Sequence, residues 1–454
     1  MDSLLDARDA SLAAFRAAVG DVPLIDDPAL VRQKSRDFFW YSPLLKGQLN
    51  RKSADLVACP RNEADVVRVA AACAAHRVPL TARGGGTGNY GQAVPLEGGV
   101  VLDMTALDAV EWQRPGQVRL GPGAKMVDVD AQTRPKGWEL RMHPSTKRTA
   151  TVGGFVAGGS GGIGSVTWGG LREPGNVLAA RVVTLEDRPR IVELRGEAAG
   201  AVNHAFGTTG IITALEMPLA PAWPWIDLVA AFPNFADATR FAYEAALADG
   251  LVKKLLTPIA WPIPSLFRGL REHCPEGEAI VIAMIAEPSL ETFRRMLGRA
   301  GGGITYQASS EEGPGATPLY EYTWNHTTLQ ALKVDKGVTY LQALYPADFL
   351  LESVAEITAL FGDEVLPHLE LIRYAGRVTA SGLPIVRYTT PERLAEIIAE
   401  HERRGVMIAN PHVFTLEDGV GHKRVDADQL SFKAQADPYG LLNPGKMRSY
   451  HVAT

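Results

Sequence analysis

Clustered glycines are the feature of this sequence with the clearest chemical consequence, because 45 of the 454 residues are glycine. One cluster, RGGGTG at 83–88, directly follows a β-like run at 78–82. Consecutive backbone N–H groups in such a turn form a concave set of donors that suits a pyrophosphate, and Arg83 and Thr87 add side-chain donors. The segment therefore indicates a site for a phosphate-bearing ligand.

Two better-known phosphate-binding motifs do not fit this turn. A Rossmann fingerprint needs a helix directly after its glycines, whereas the following segment 89–98 contains Gly91, Pro95 and Gly98. A P-loop needs Gly-Lys followed by Ser or Thr, and the nearby cluster GPGAKM lacks that hydroxyl residue. A Rossmann domain and a P-loop NTPase are both disfavoured.

A second glycine-rich segment, residues 153–170, could be a flexible linker. Such linkers are polar, but here Phe155, Ile163 and Trp168 are interleaved with the glycines. Side chains of this kind favour burial. We therefore interpret the segment as ordered backbone that packs close to a ligand, since glycine permits that approach.

The composition excludes several other classes of function. A net charge of −5 and an isoelectric point near 6.1 give no electrostatic reason to expect binding to nucleic acid or to an anionic membrane. The three widely spaced cysteines disfavour a disulfide framework, a zinc finger and an iron–sulfur site. We see neither a signal-peptide core nor an apolar run long enough to span a bilayer, so a cytoplasmic location is expected.

The elements around the glycine segments predict an α+β chain. Asn62 is a suitable N-cap for a helix over 62–76, and residues 118–133 indicate a strand, a turn and a helix. The glycine content becomes ordinary near residue 222. Beyond it, helical patterns at 234–250 and 390–405 alternate with strand-like runs at 279–288, 338–346, 366–376 and 406–410. This pattern predicts a second α+β domain.

Five segments in this order resemble the FAD-binding fold of the vanillyl-alcohol oxidase / p-cresol methylhydroxylase superfamily: 83–95, 143–154, 157–165, 168–184 and 207–216. The segment ADPYGLLNPGKM, residues 436–447, resembles the closing segment of the glycolate oxidase / D-lactate dehydrogenase branch. The resemblance implies a two-subdomain FAD-binding fold of the p-cresol methylhydroxylase type plus an α+β cap with an antiparallel sheet. The implied divisions are an FAD-binding domain over 1–221, a substrate-binding cap over 222–430, and a C-terminal segment, 431–454, that returns to the first domain.

The resemblance also assigns residues to the cofactor. The first loop would hold the FAD pyrophosphate, the second would follow the ribityl chain and flavin edge, and the third would pack against the dinucleotide. Ile212 would contact the adenine end, and Asn443 and Lys446 would close over the cofactor, although Lys446 could equally be a solvated tail lysine. The loop residues are Arg83, Gly84, Gly85, Gly86, Thr87, Gly88 and Asn89; Pro144, Ser145, Thr151, Gly153 and Gly154; and Gly158, Gly159, Ser160, Gly161, Gly162 and Ser165.

Two features common among such proteins are missing from this sequence. Some members attach FAD covalently through a histidine in the first loop, but Gly86 and Thr87 occupy those positions, so the resemblance implies non-covalent FAD, with a second linkage site left open. The metal-binding pattern H-x-G-D-G-N-x-H is also incomplete, and EDGVGHK at 417–423 has Asp418 where the branch has histidine. A site made by His368, Glu370 and His412 stays open, but the prediction is no metal.

The resemblance implies that a substrate C–H bond delivers hydride to the flavin N5, so a base must accept the proton. Imidazole is the usual base, and His326, His368 and His412 are the candidates in the cap. Tyr322 and Trp324 alternate with His326 and are candidate pocket residues. Candidate clamps for a substrate carboxylate are Arg373, Arg377 and Arg387. The aromatic segment that contains Asp37, Trp40 and Tyr41 is a weaker candidate for the same site.

These inferences predict an FAD-dependent oxidase or dehydrogenase that acts on a small alcohol or 2-hydroxy acid. Oxygen or another acceptor would take the electrons, and the oligomeric state, a homo-oligomer included, stays open. Two alternatives remain: a non-redox FAD enzyme of the alkyl-transfer type, and a non-catalytic flavin-binding protein.

Overall fold

A computed structural model of the chain describes residues 2–310, 317–418 and 424–451. Most of the segment EDGVGHK, namely residues 419–423, lies outside the described residues. The described residues form five sheets with helices between them, which confirms the predicted α+β architecture. No helix in these three ranges is long and apolar enough to cross a membrane.

The first sheet follows an N-terminal helix, α1 (Asp2–Ala18), and carries the first glycine loop. Its strands run in the order β1–β2–β4–β3, with β2, β4 and β3 parallel. Helix α4 packs its apolar face against these strands, and the Asn62 side chain caps it by accepting a hydrogen bond from Asp65 N, as the sequence predicts. The strands are β1 (Leu24–Ile25), β2 (Leu56–Ala58), β3 (Leu80–Arg83) and β4 (Val100–Asp103), and the helices are α2 (Pro28–Lys34), α3 (Pro43–Leu49) and α4 (Glu63–His76).

The second sheet is antiparallel and forms the other half of the glycine-rich region. Its order is β5–β6–β10–β8–β9, with β7 pairing separately to the far end of β10. The predicted strand, turn and helix over 118–133 are present as β6 and α5. The strands are β5 (Val110–Arg114), β6 (Gln117–Leu120), β7 (Trp138–Leu140), β8 (Ala179–Val183), β9 (Ile191–Arg195) and β10 (Ile211–Pro221), and the helices are α5 (Met126–Thr133), α6 (Val152–Gly158) and α7 (Ser165–Trp168).

The C-terminal segment packs against the first sheet. After α13 (Ala427–Ala436), Leu442 forms a parallel bridge with Leu80 of β3. Leu80 N donates to Leu441 O over 2.9 Å, and Asn443 N donates to Leu80 O over 2.7 Å. These bonds support the predicted return of this segment to the FAD-binding domain; the division of the chain at 221 and 430 stays a prediction.

The cap begins with a third sheet, antiparallel in the order β12–β13–β11–β14. Its strand β13 is buried along its whole length, which explains the continuous apolar run that the sequence shows there. Helices α8 and α9 cover one face of this sheet. The elements are β11 (Trp225–Phe232), α8 (Phe235–Leu247), β12 (Lys253–Ile259), β13 (Ala279–Ala286), α9 (Leu290–Arg299) and β14 (Gly303–Ser309).

Two predicted strands of the cap are each divided between two small antiparallel sheets. The run 338–346 forms β15 and β16, and the run 366–376 forms β17 and β18, separated by Pro367 and His368. Proline has no N–H to donate to a ladder, so it favours a break there. The elements are α10 (Asn325–Val334), β15 (Val338–Tyr340), β16 (Ala343–Leu344), α11 (Leu350–Phe361), β17 (Val365–Leu366), β18 (Leu369–Tyr374), β19 (Arg377–Gly382), β20 (Ile385–Arg387), α12 (Pro391–Arg403) and β21 (Met407–Ile408).

A buried carboxylate joins the second sheet to the cap. Glu139 of β7 accepts hydrogen bonds from Trp225 Nε1 of β11 over 2.9 Å and from Lys254 Nζ of β12 over 2.8 Å, and it also pairs with Arg134. The Glu139 and Lys254 side chains are 1% and 6% exposed. Removal of one charge would leave the other buried without its counterion, which is costly in a poorly solvated position.

We therefore expect Glu139→Gln to destabilise the protein, by about 3–5 kcal/mol if the whole penalty for breaking a buried pair is felt. Thermal unfolding of the purified protein measures this as a melting temperature several degrees lower. The matched control is Glu291→Gln, because the Glu291 side chain is 70% exposed in its ion pair with Arg294; that change should stay within about 0.5 kcal/mol. Equal melting temperatures for the two variants would contradict this account of the junction.

Candidate active site

A cleft lies between the glycine-rich segments of the first two sheets and the start of helix α10 in the cap. Most residues that the sequence analysis assigns to cofactor and substrate line this cleft. The lining includes Arg83, Gly84, Gly85, Gly86, Thr87, Gly88, Asn89, Pro144, Ser145, Thr151, Gly153, Gly154, Gly158, Gly159, Ser160, Gly161, Ile212 and His326. The chain therefore brings together segments that are more than 200 residues apart.

The first glycine loop begins where β3 ends at Arg83. The backbone N–H groups of residues 85–88 donate no hydrogen bond to any described residue. Arg83 donates to Gly84 O over 3.0 Å and to Arg36 O over 3.3 Å, while its Nε is buried without a partner. Unpaired donors of this kind, beside an arginine, favour an anionic ligand.

The segment 143–154 lies directly against the first loop. A Cβ placed on Gly85 would be 2.3 Å from Thr149 O, so only glycine permits this contact between the two backbones. Thr151 then begins α6, where its Oγ1 accepts a hydrogen bond from Gly154 N over 3.3 Å. The two loops form one continuous wall of the cleft.

Gly162 and Ser165 lie behind this wall and are not part of the cleft lining. The Ser165 Oγ accepts a hydrogen bond from Gly162 N over 3.0 Å. A Cβ on Gly162 would lie 2.2 Å from His143 O, so this glycine permits a close packing of two backbone segments. Their position supports a structural contribution to the cleft rather than the predicted direct contact.

Asn443 and Lys446 also act from behind the cleft. Asn443 donates through Nδ2 to Gln92 O over 2.8 Å and to Phe206 O over 2.7 Å. Lys446 is fully buried and donates to Gly91 O over 2.7 Å, so the alternative of a solvated tail lysine is wrong. Both side chains fix the segment that follows the first glycine loop.

An acidic side chain faces the same cleft. Asp37 accepts hydrogen bonds from Phe39 N over 3.0 Å and from Ala93 N over 3.3 Å. Burial raises the pKa of Asp37 to about 6, although the charges of Lys446 and Arg83 and the two hydrogen bonds oppose that rise. Of its two companions in the predicted aromatic segment, Tyr41 lines the cleft and Trp40 does not.

The cap contributes three consecutive residues, Trp324, Asn325 and His326, at the start of α10, and also Gln342. Trp324 has φ of 51° and ψ of −141°, a conformation that residues other than glycine rarely adopt. Its indole Nε1, the Asn325 Oδ1 and the Gln342 Oε1 are buried without a hydrogen-bond partner among the described residues. These groups provide one donor and two acceptors beside the cleft.

His326 is the predicted base that lines the cleft. Burial, together with the charge of Lys333, lowers the pKa of His326 to about 4, although a backbone hydrogen bond at Glu321 opposes the shift. The imidazole is therefore neutral at neutral pH. A neutral imidazole can accept a proton from a ligand in the cleft.

The other predicted catalytic residues lie outside the cleft lining. His368 is fully buried against Glu370, and His412 lies between Ser42 Oγ at 2.8 Å and Tyr340 O at 3.0 Å. Tyr322 packs its ring against Phe267 in a 3₁₀ turn over residues 319–322, so it does not line the cleft beside Trp324 and His326.

The predicted arginine clamps are bonded to groups outside this cleft. Arg373 pairs with Asp249 and Arg377 pairs with Asp348, while Arg387 donates to Asp363 O over 2.8 Å. None of the three arginines lines the cleft. Within the described residues, no group of three or more His, Cys, Asp or Glu side chains is arranged to hold a metal ion.

The sequence analysis missed several residues of the lining: Phe38, Tyr90, Gln92, Phe206, Asn325 and Gln342. Tyr90 and Gln92 belong to the segment that directly follows the first glycine loop. Their closeness to that loop in the sequence could have predicted that they line the cleft. Gln342 lies between β15 and β16, which belong to different sheets. The sequence predicts one continuous strand over 338–346, so it gives no sign of this break.

The geometry fits a large anionic ligand with a flat polar ring. The free N–H groups of residues 85–88 and the unpartnered Arg83 Nε and Asn89 Nδ2 match a pyrophosphate. The glycine wall leaves room for an extended molecule beside it, and aromatic and amide side chains close the far end. FAD has both of these parts.

Comparisons with known proteins agree with this geometry. A sequence profile described as an FAD binding domain matches residues 54–192. The glycolate oxidase subunit GlcD of Bacillus subtilis is 24% identical over 430 residues, which cover 87% of this chain and 88% of that protein. The D-lactate dehydrogenase of Archaeoglobus fulgidus is 29% identical over 202 residues, which cover 42% of this chain and 44% of that protein.

A solved structure of alkyldihydroxyacetonephosphate synthase has the same fold. It superposes with a TM-score of 0.68 at 16% identity and covers 96% of this chain and 85% of that protein. Together with the sequence matches, this likeness confirms the predicted fold and the predicted cofactor, FAD. The chain thus has an FAD-binding domain and the fold that its resemblance to the superfamily of FAD-linked oxidases implies.

Proposed function

We propose that this protein oxidises a small alcohol or 2-hydroxy acid with FAD as the hydride acceptor. The relatives named for glycolate and D-lactate act on such hydroxy acids, and this supports the substrate class. The observation that carries the proposal is the placement of a neutral histidine, His326, at the cap end of the glycine-lined cleft. Oxygen or another acceptor would then take the electrons.

The glycine loops and the C-terminal segment form the cofactor-binding part of this proposal. When bound, FAD supplies an isoalloxazine ring whose N5 accepts hydride. The N–H groups of residues 85–88, together with Arg83, would hold the pyrophosphate. Asn443 and Lys446 would keep the wall rigid through their bonds to the Gln92 and Gly91 carbonyls.

The cap residues form the substrate-binding part. His326 would accept the hydroxyl proton as the substrate loses its hydride, since a neutral imidazole in this position has a free lone pair. Tyr41, Tyr90 and Trp324 surround the same end of the cleft with aromatic surface and would exclude water. Arg83, His204 and His326 are the basic residues among the described lining residues, and His326 is neutral at neutral pH.

Substitution of the proposed base should slow flavin reduction without releasing FAD. We expect His326→Gln to lower the rate of anaerobic flavin reduction by about 100-fold or more, because a positioned base typically contributes that much. The control is His76→Gln at the end of α4, outside the cleft. Stopped-flow absorbance measures both rates, and an unchanged rate in the His326 variant would assign the base elsewhere.

The pH dependence of the same rate distinguishes His326 from Asp37 as the base. His326 accepts a proton only when neutral, so the wild-type rate should stay level from pH 8 to 6 and fall as the pH drops toward its pKa of about 4. Asp37, with a pKa of about 6, would give a decline near pH 6 if its carboxylate were the base. A decline at pH 6 that disappears in Asp37→Asn would therefore overturn the assignment to His326.

A side chain at Gly158 should block cofactor binding. A Cβ there meets only the Gln92 side chain, at 3.7 Å, so a larger group would extend into the cleft. We expect Gly158→Leu to raise the dissociation constant for FAD at least about tenfold, equivalent to 1.4 kcal/mol, while Gly158→Ala changes it little. Fluorescence titration of the apoprotein with FAD measures this constant, and Gly47→Leu in helix α3, where a Cβ meets nothing within 4 Å, is the control.

The anaerobic absorption spectrum tests the function itself. Flavin bands that bleach when one alcohol or 2-hydroxy acid is added would establish oxidation and identify the substrate class. Bound flavin that no member of a broad panel bleaches would instead favour the alkyl-transfer or the non-catalytic alternative. Purified protein that neither contains nor takes up FAD would contradict the proposal as a whole.

A further inference from the structure

A buried histidine–glutamate pair lies directly behind the cap end of the cleft. His368 Nε2 is 2.9 Å from Glu370 Oε1, and the two side chains are 0% and 1% exposed. His368 Nδ1 is 3.1 Å from Leu383 O, so the ring has a polar neighbour at each of its two nitrogens. The pair does not line the cleft, so neither side chain is placed to contact a ligand.

The Glu370 carboxylate connects three separate elements of the cap. Its Oε2 accepts a hydrogen bond from Thr257 Oγ1 of β12 over 2.6 Å. Its Oε1 accepts one from the backbone N–H of Trp324, also over 2.6 Å. The carboxylate, which belongs to β18, thus fixes the residue that immediately precedes helix α10.

Trp324 needs such a restraint because its backbone is strained. A non-glycine residue with φ of 51° and ψ of −141° is strained, and such a conformation persists only where its surroundings impose it. The Trp324 side chain makes no capping hydrogen bond to α10. The backbone N–H of Trp324 is held by its hydrogen bond to Glu370. The conformation determines where Trp324, Asn325 and His326 enter the cleft.

The restrained turn presents complementary polar atoms. Trp324 Nε1 can only donate and Asn325 Oδ1 can only accept, and both are buried without a partner among the described residues. Buried polar atoms rarely stay unpaired, so a ligand group is expected to satisfy them. A hydroxyl group both accepts and donates, whereas an ether oxygen or a carboxylate only accepts.

We propose that Glu370, supported by His368, is a positioning residue that holds the strained Trp324 turn, and that this turn binds a substrate hydroxyl through the Trp324 indole N–H and the Asn325 amide oxygen. The inference rests on the proposed function, because it takes this end of the cleft as the substrate site. It gives the His368–Glu370 pair a role that requires no contact with the substrate.

Benzyl alcohol and benzyl methyl ether are a suitable pair of probes, because they share an aromatic ring and differ in the hydroxyl proton. Binding of each probe to the FAD-loaded protein is measured from the flavin difference spectrum, under conditions without turnover. We expect the wild-type protein to bind the alcohol at least about tenfold more tightly, a difference of 1.4 kcal/mol. Equal affinity for the two probes, or no binding of either, would overturn the proposed hydroxyl site.

Three variants test the positioning role. Trp324→Phe removes the indole donor and Glu370→Leu removes the acceptor for Trp324 N–H, so both should reduce the preference for the alcohol to about twofold or less. Glu370→Gln retains an acceptor oxygen and should restore most of the preference. The matched control is Thr379→Val, which removes a similarly buried hydroxyl bond, to Tyr345 O over 2.7 Å, elsewhere in the cap.

Hydrogen exchange gives a readout that does not depend on a ligand. Peptides covering 319–330 should exchange faster in Glu370→Leu than in the wild type, and at the wild-type rate in Thr379→Val. An equal loss of alcohol preference in Glu370→Leu and Thr379→Val would contradict the positioning role, because Glu370 would then only stabilise the cap in general. A protein that prefers benzyl alcohol while its flavin is bleached by no alcohol or hydroxy acid would refute the proposed oxidation but retain the hydroxyl site.

Discussion

Direct packing of backbone against backbone, with no side chain between, is the constraint on which the cleft depends. Gly85 rests on the Thr149 carbonyl and Gly162 on the His143 carbonyl, each at a distance where a Cβ would overlap the oxygen. This packing places two loops side by side and leaves the N–H groups of residues 85–88 free. Ordering a glycine-rich loop costs conformational entropy, because glycine is the most flexible residue in the unfolded chain. Strands β3 and β4 flank the first loop and hold its two ends in place.

The cap depends on a different kind of interaction, namely buried charge. Glu139 joins the cap strands to the second sheet through Trp225 and Lys254. Glu370 joins β18, β12 and the start of α10 within the cap. Buried carboxylates are poor sources of stability but impose specific geometry, because each unpaired oxygen is costly. The two halves of the cleft are thus positioned by glycine backbone on one side and by carboxylates on the other.

This difference explains how much the sequence could predict. The FAD loops were predictable because their signal is local: a strand, a run of glycines and an arginine lie within ten residues around Arg83. The cap site was not predictable in this way, because Trp324 is held by Glu370, which lies 46 positions away in the sequence. His368 and Glu370 looked like catalytic or metal-binding candidates from their alternation on a strand. Burial changes that interpretation, because a side chain with no exposed atoms must act through its neighbours.

The position of Asn443 has a consequence for the order of assembly in the cell. Its amide bonds to the carbonyls of Gln92 and Phe206, so it closes a wall whose other parts are synthesised more than 200 residues earlier. During synthesis this wall therefore stays incomplete until Asn443 has left the ribosome, well after the glycine loops. Because the wall joins segments so far apart in sequence, closing it carries a large loop-closure entropy, and contacts of this kind slow folding.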